Sequence, residues 1–195
     1  MGELIMSFFK DKSALDLLPF LFSWQMSIII GLGVLITLFA PDNVLTRYRA
    51  IAVFVEWMGG WISPIAAYRR ASKFPEIAGL YFSVMFIVTP LIMIHLFSRI
   101  DLILRDAASA FDRKPLLSYF SAMILICIAG AMPFMLYVWA DGAEIIPSIP
   151  INSSKLALGI FGWLAAGGIA WILIPYGVGV LIVAIKRLFN INSRG

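Results

Sequence analysis

Hydrophobic and polar positions do not alternate along this chain; they fall into blocks. Four stretches, 17–40, 77–97, 116–140 and 156–185, contain no Asp, Glu, Lys or Arg. Each reaches the ~20 helical residues needed to cross a hydrocarbon core of ~30 Å. The pattern predicts an all-α integral membrane protein, a four-transmembrane-helix bundle that forms one membrane domain over residues 1–195. An additional interfacial or re-entrant helix is expected between the first and second spans, and a cytoplasmic amphipathic helix over 98–114.

The additional helix is the part that resists a simple reading. Residues 50–67 are mostly apolar but hold Glu56, Gly59, Gly60 and Pro64. As a full span this segment would place a carboxylate at membrane depth, at a cost of a few kcal/mol, and its helix would be interrupted. As an element over about 44–67 it makes sense. Val44, Tyr48, Ile51, Ala52 and Val55 recur on one helical face, Arg49 and Glu56 share another, and Trp57, Trp61 and Tyr68 suit the headgroup boundary. A fifth crossing here, with the N-terminus outside, is the competing arrangement.

In 98–114 an apolar stripe of Ile100, Ile103, Leu104, Ala107 and Phe111 recurs at helical spacing, Asp101 and Arg105 stand in the favourable acid-then-base order, and Pro115 ends the segment. Arg105 and Phe111 are expected to dock a partner, against the simpler reading of a connecting helix on the headgroups. The loop 141–155 is different in kind. Pro147 and Pro150 forbid regular structure, yet Ile145, Ile146, Ile149 and Ile151 make it apolar. It either folds back over the bundle or meets a neighbour, with Ile145, Ile146 and Ile149 as docking positions. Asn152, Ser153 and Ser154 match a glycosylation sequon, which is a weak pattern.

Within the spans, Pro90, Pro133 and Pro175 are expected to kink their helices. The fourth apolar stretch is long enough that it must tilt, break near 175–179 or project beyond the membrane. Gly159, Gly162, Ala166 and Ala170 form a small-residue strip that lets another helix approach closely. Gln25, Thr37 and Thr89 are the polar groups available to line a pathway.

Charge sets the orientation. Arg99, Arg105, Arg113 and Lys114 follow the second span, Lys155 alone follows the third, and Lys186, Arg187 and Arg194 follow the fourth. The positive-inside rule places 98–115 and both termini in the cytoplasm. Arg69, Arg70 and Lys73 then fall on the external face, against the rule. The first span reads better as an uncleaved anchor than as a signal peptide, because its apolar run is too long and Ala40 is followed by Pro41.

Composition adds exclusions. A hydrophobic share of 62% and mean hydropathy of +0.95 exceed what a soluble core can hide. The net charge of +4 suits loops facing anionic headgroups and implies no nucleic acid. One histidine and one cysteine, His95 and Cys127, make no zinc site, and neither a metal nor a cofactor is expected. Cys127 reads as a packing residue. The one constellation worth testing for phospholipid-headgroup chemistry is Glu56 with Arg69, Arg70 and Lys73.

Ionisable groups are missing from the spans and three surfaces are available for docking. The sequence therefore points to a non-enzymatic inner-membrane subunit or scaffold of a bacterial envelope assembly, such as a secretion or conjugation machine. Its partners would be the lipid bilayer and other membrane proteins of that assembly. A small homo-oligomeric channel or transporter and an interfacial headgroup binder or enzyme are the alternatives.

Overall fold

Prolines punctuate the chain. In the computed structural model, which describes residues 24–113, 115–134, 142 and 148–192, helices α4 (Pro64–Ala71), α5 (Pro75–Val88), α6 (Pro90–Phe97) and α8 (Pro115–Phe134) all begin on one. At the first helical position the missing N–H has no intrahelical partner to lose. The remaining helices are α1 (Trp24–Phe39), α2 (Val44–Arg47), α3 (Arg49–Trp61), α7 (Ile100–Arg113), α9 (Lys155–Trp163) and α10 (Ile169–Asn192). Among the described residues there is no strand.

Among the described residues two helical stretches are long and apolar enough to cross a membrane, Pro75–Phe97 and Lys155–Phe189. The count becomes three if α3 and α4, bent by 119° against each other, are taken as one span. The segments expected as the first and third spans appear as α1 and α8. Within the described residues their apolar stretches cover Met26–Phe39 and Ser118–Met132. Residues 17–23 and 135–140 of those expected spans lie outside the described residues.

The two long stretches run parallel. The Tyr81 ring lies against Gly162 and Thr89 bonds Ala166; beyond Phe97, Ile103 and Ala108 of α7 meet Gly179 and Arg187, so the pairing continues in the same direction. Helix α1 runs antiparallel to α9, and α8 antiparallel to α10. The main core lies between α1, α3–α6 and α9, with Met26, Val55, Ile65, Tyr68, Tyr81, Phe82, Met85 and Leu158 enclosed. Tyr68 stacks on Phe82 at 4.0 Å between ring centres, and Tyr81 meets Phe82 edge-on at 5.3 Å. A smaller core of Ala107, Phe111, Ala122, Val183 and Ala184 joins α7, α8 and α10.

The long fourth segment breaks, but earlier than the prolines predict. Ala166 (φ −78°, ψ 20°) and Gly167 (φ 93°, ψ 4°) leave helical geometry, whereas Pro175 is carried inside α10. A positive φ costs glycine almost nothing and other residues much more, so Gly167 concentrates the kink at one place. The break between α3 and α4 falls at Ile62 and Ser63; Gly59 and Gly60 remain within α3.

One end of the molecule is tied by polar contacts. The Glu76 carboxylate accepts hydrogen bonds from the backbone N–H groups of Leu45 (2.7 Å) and Thr46 (3.0 Å) and from the Thr46 hydroxyl (2.6 Å). It thereby satisfies orphan donors at the start of α2. Lys155 pairs with Asp42, and the Lys73 N–H donates to the Asn152 carbonyl. Glu76→Gln should loosen α2 with a loss below about 1 kcal/mol, because these groups are largely solvated. Faster amide exchange confined to Leu45 and Thr46 is the measurement that checks it.

Candidate functional site

Three places concentrate polar or special groups, and each follows from a local feature of the chain. The first is where the two long stretches break side by side. Thr89 ends α5 just before Pro90, and its hydroxyl donates to the Ala166 carbonyl at 2.8 Å, 77 residues away. Pro90 and Gly167 thus interrupt neighbouring helices at matching depth. The carbonyl turned out by one break is satisfied by the side chain at the other, as membrane helices require. Around it the packing rests on glycine. A Cβ at Gly33 would lie 2.5 Å from the Gly159 carbonyl oxygen, and one at Gly159 would lie 2.5 Å from Thr37 Oγ1 and 3.0 Å from Val34 Cα. Gly162 is pressed on the Tyr81 ring and Gly168 on Trp163. The expected small-residue strip, Gly159, Gly162, Ala166 and Ala170, therefore lies inside this chain's own packing, with both alanines fully enclosed.

Polar side chains at this depth are spent on backbone carbonyls. Thr37 bonds Gly33 and Val34 on its own helix, and Ser83 bonds Gly79. Thr37 and Thr89 have no exposed surface, so neither lines a pathway in this arrangement; the Gln25 side chain lies outside the described residues. The Tyr81 hydroxyl is enclosed beside the Trp163 backbone.

The second place is the cationic end. Arg69 lies along Gly79, where an added Cβ would come within 2.8 Å of Arg69 Cδ. Arg70 and Lys73 are exposed nearby, and Arg47 sits 5.4 Å from the Tyr48 ring centre. The Glu56 side chain is exposed on α3 and makes no ion pair or hydrogen bond to another described residue, so the structure does not assemble it with Arg69 and Arg70 into one catalytic group. The acid engaged here is Glu76. Its position, one residue after the proline that opens α5, is the signal that marks it as a capping group.

The third place is the far end of α7. Its stripe is buried as the periodicity predicts, but within the chain: Ala107 and Phe111 pack against α8 and α10, and Ile103 joins the main core and touches Gly179. Phe111 was expected to dock a partner; it is 2% exposed, packs edge-on against Tyr119 at 4.9 Å and lies beneath Arg187, so its ring is occupied within the chain. Arg187 Nη2 is 2.6 Å from Asp112 Oδ1 and 3.2 Å from the Ala108 carbonyl. Arg105 is exposed on the opposite face. Ile149 is half-buried against the main core and Ile151 is buried, so the described part of the 141–155 loop folds back over the bundle. Ile145 and Ile146 lie outside the described residues. Cys127, expected as a packing residue, is exposed on α8. Beside it an apolar groove of about 380 Å³ is lined by Ile126, Ala129, Gly130, Ile174, Gly177, Val178 and Leu181.

Among the described residues no three His, Cys, Asp or Glu side chains converge as metal ligands. Comparison of the chain with protein-family models, curated proteins and solved structures gives no match in any of the three.

Proposed function

We propose that this chain is a non-enzymatic, multi-pass subunit of a membrane assembly, seated in a bacterial inner membrane as a four-helix bundle with α3 and α4 as an extra element. The observation that carries the reading is the division of α7 into two faces. Its apolar face is filled by α8 and α10, while Asp101, Leu102 and Arg105 form an outward face that nothing described in this chain covers. Such a helix is fixed rigidly by its own chain and presents a charged surface, as a docking element needs. The polar groups inside the bundle support the same reading, because they bond backbone carbonyls of their own helix or, at Thr89, of a neighbouring one.

Arg105→Glu should leave membrane insertion and the amount of protein unchanged, because the side chain is exposed and outside both cores. Recovery of co-purifying partners after mild extraction should fall about tenfold, the result of losing about 1.4 kcal/mol at an interface charge. Recovery equal to wild type removes α7 as the docking face. Loss confined to Ile149 variants would move the interface to the 141–155 loop.

A further inference from the structure

We infer that α3 and α4 form a re-entrant hairpin within one leaflet, and that its cationic base is a binding surface for anionic phospholipid headgroups. The first half of this rests on where the hairpin begins and ends. Glu76, the second residue of α5, holds Leu45 and Thr46 by three hydrogen bonds, so the chain enters α3 at the start of the Pro75–Phe97 span. Only residues 72–74 separate the end of α4 from the start of the same span. Both ends of the bent pair are therefore held at one end of α5, and a pair that leaves where it entered has not crossed.

Depth follows from packing. Arg69 lies along Gly79 and Tyr68 stacks on Phe82, so α4 runs antiparallel beside the first turns of α5. At 1.5 Å per residue, Gly79 is about 6 Å from Pro75 and the bend at Ile62 and Ser63 lies about 10 Å further in. That brings the tip about halfway through a ~30 Å core. One face of α3 places Val55 and Met58 in the core. The other leaves Trp57 60% exposed part-way along α3 and Trp61 77% exposed next to the bend. Both indoles face outward, where a hairpin seated in the leaflet meets lipid.

The choice of lipid follows from charge. At the base, Asp42 is paired with Lys155 and Glu76 is engaged with Leu45 and Thr46. Glu76 keeps its negative charge and lies near Arg69, while Glu56 stands about two turns along α3 from Arg49, away from the base, so Arg47, Arg49, Arg69, Arg70 and Lys73 outnumber the acids there. Five cations around the two necks of a hairpin seated in lipid are complementary to a phosphodiester headgroup with net negative charge. A zwitterionic headgroup brings its own cation and gains less.

The test uses the full-length chain reconstituted alone in phosphatidylcholine vesicles with a minority of phosphatidylglycerol, so its outcome does not depend on any assembly partner. Bromine is placed on the acyl chains of one lipid or the other at equal mole fraction. The quenching of interest is the tryptophan signal removed by Trp57→Phe with Trp61→Phe. Brominated phosphatidylglycerol should quench that signal as if enriched roughly fivefold around the hairpin, and high salt should reduce the enrichment. Arg49→Gln with Arg70→Gln and Lys73→Gln should abolish it, while the charge-keeping set Arg49→Lys, Arg70→Lys and Lys73→Arg should retain it. Equal quenching by both lipids in the wild type overturns the headgroup assignment, as does enrichment that survives in the Gln variant. Displacement by inorganic phosphate would show a phosphate-ion site instead. Absence of quenching by either lipid overturns the re-entrant placement.

Discussion

Gly159→Leu should separate α1 from α9 and cost about 3 kcal/mol or more. In a membrane there is little hydrophobic force between helices, so their association depends on close packing of small residues. At this crossing Gly33 and Gly159 approach through backbone atoms: the Gly159 carbonyl is where a Gly33 side chain would be, and Val34 Cα and Thr37 are where a Gly159 side chain would be. A backbone atom cannot rotate out of the way. Overpacking therefore moves a whole helix, which places the cost at or above the top of the usual range of about 1–3 kcal/mol. Gly31, two residues from Gly33 on α1, has no heavy atom within 4 Å of its would-be Cβ. Gly31→Leu is expected within about 0.5 kcal/mol of wild type, as for a residue touching nothing. Unfolding of both variants by denaturing detergent, followed by circular dichroism in a bilayer mimetic, checks the contrast. Equal losses would mean that α1 and α9 do not meet where these glycines place them.

Thr89→Val should cost about 1–2 kcal/mol despite preserving side-chain shape. It removes the one hydrogen bond joining the two helix breaks and leaves the enclosed Ala166 carbonyl unsatisfied. Thr89→Ser keeps the hydroxyl and should retain most of the stability. Ser83→Ala removes a bond to a carbonyl four residues back in the same helix, and it should cost less than Thr89→Val. The same detergent titration distinguishes these cases. A Thr89→Val variant as stable as Ser83→Ala would show that the bond does not hold the breaks together.

The apolar blocks were enough to foresee an all-helical membrane protein, because a run of 20 residues without a charge has few alternatives. The α7 stripe and the broken 44–67 element were also legible, since 3.6-residue periodicity and proline act locally. What covers the α7 stripe was not. Phe111 has the same signature whether it meets α8 and α10 or another protein, and only tertiary packing assigns the partner. The kink at Gly167 escaped because Gly167 and Gly168 resemble packing residues, while Pro175 carries the stronger helix-breaking signal. In fact Pro175, seven residues into α10, is absorbed at the loss of one hydrogen bond, whereas the positive φ of Gly167 redirects the axis. Glu76 was missed for a similar reason. An acid one residue inside a span reads as a boundary marker, and its bonds to Leu45 and Thr46 cross 30 residues of chain.

The most direct test of the proposal is mild-detergent extraction of the full-length protein from its native membrane, native sizing and identification of what co-migrates. Our account predicts a large heteromeric complex with a fixed set of other membrane proteins, from which Arg105→Glu is excluded. A discrete small homo-oligomer with no companions would contradict it, and would turn attention to flux across the membrane.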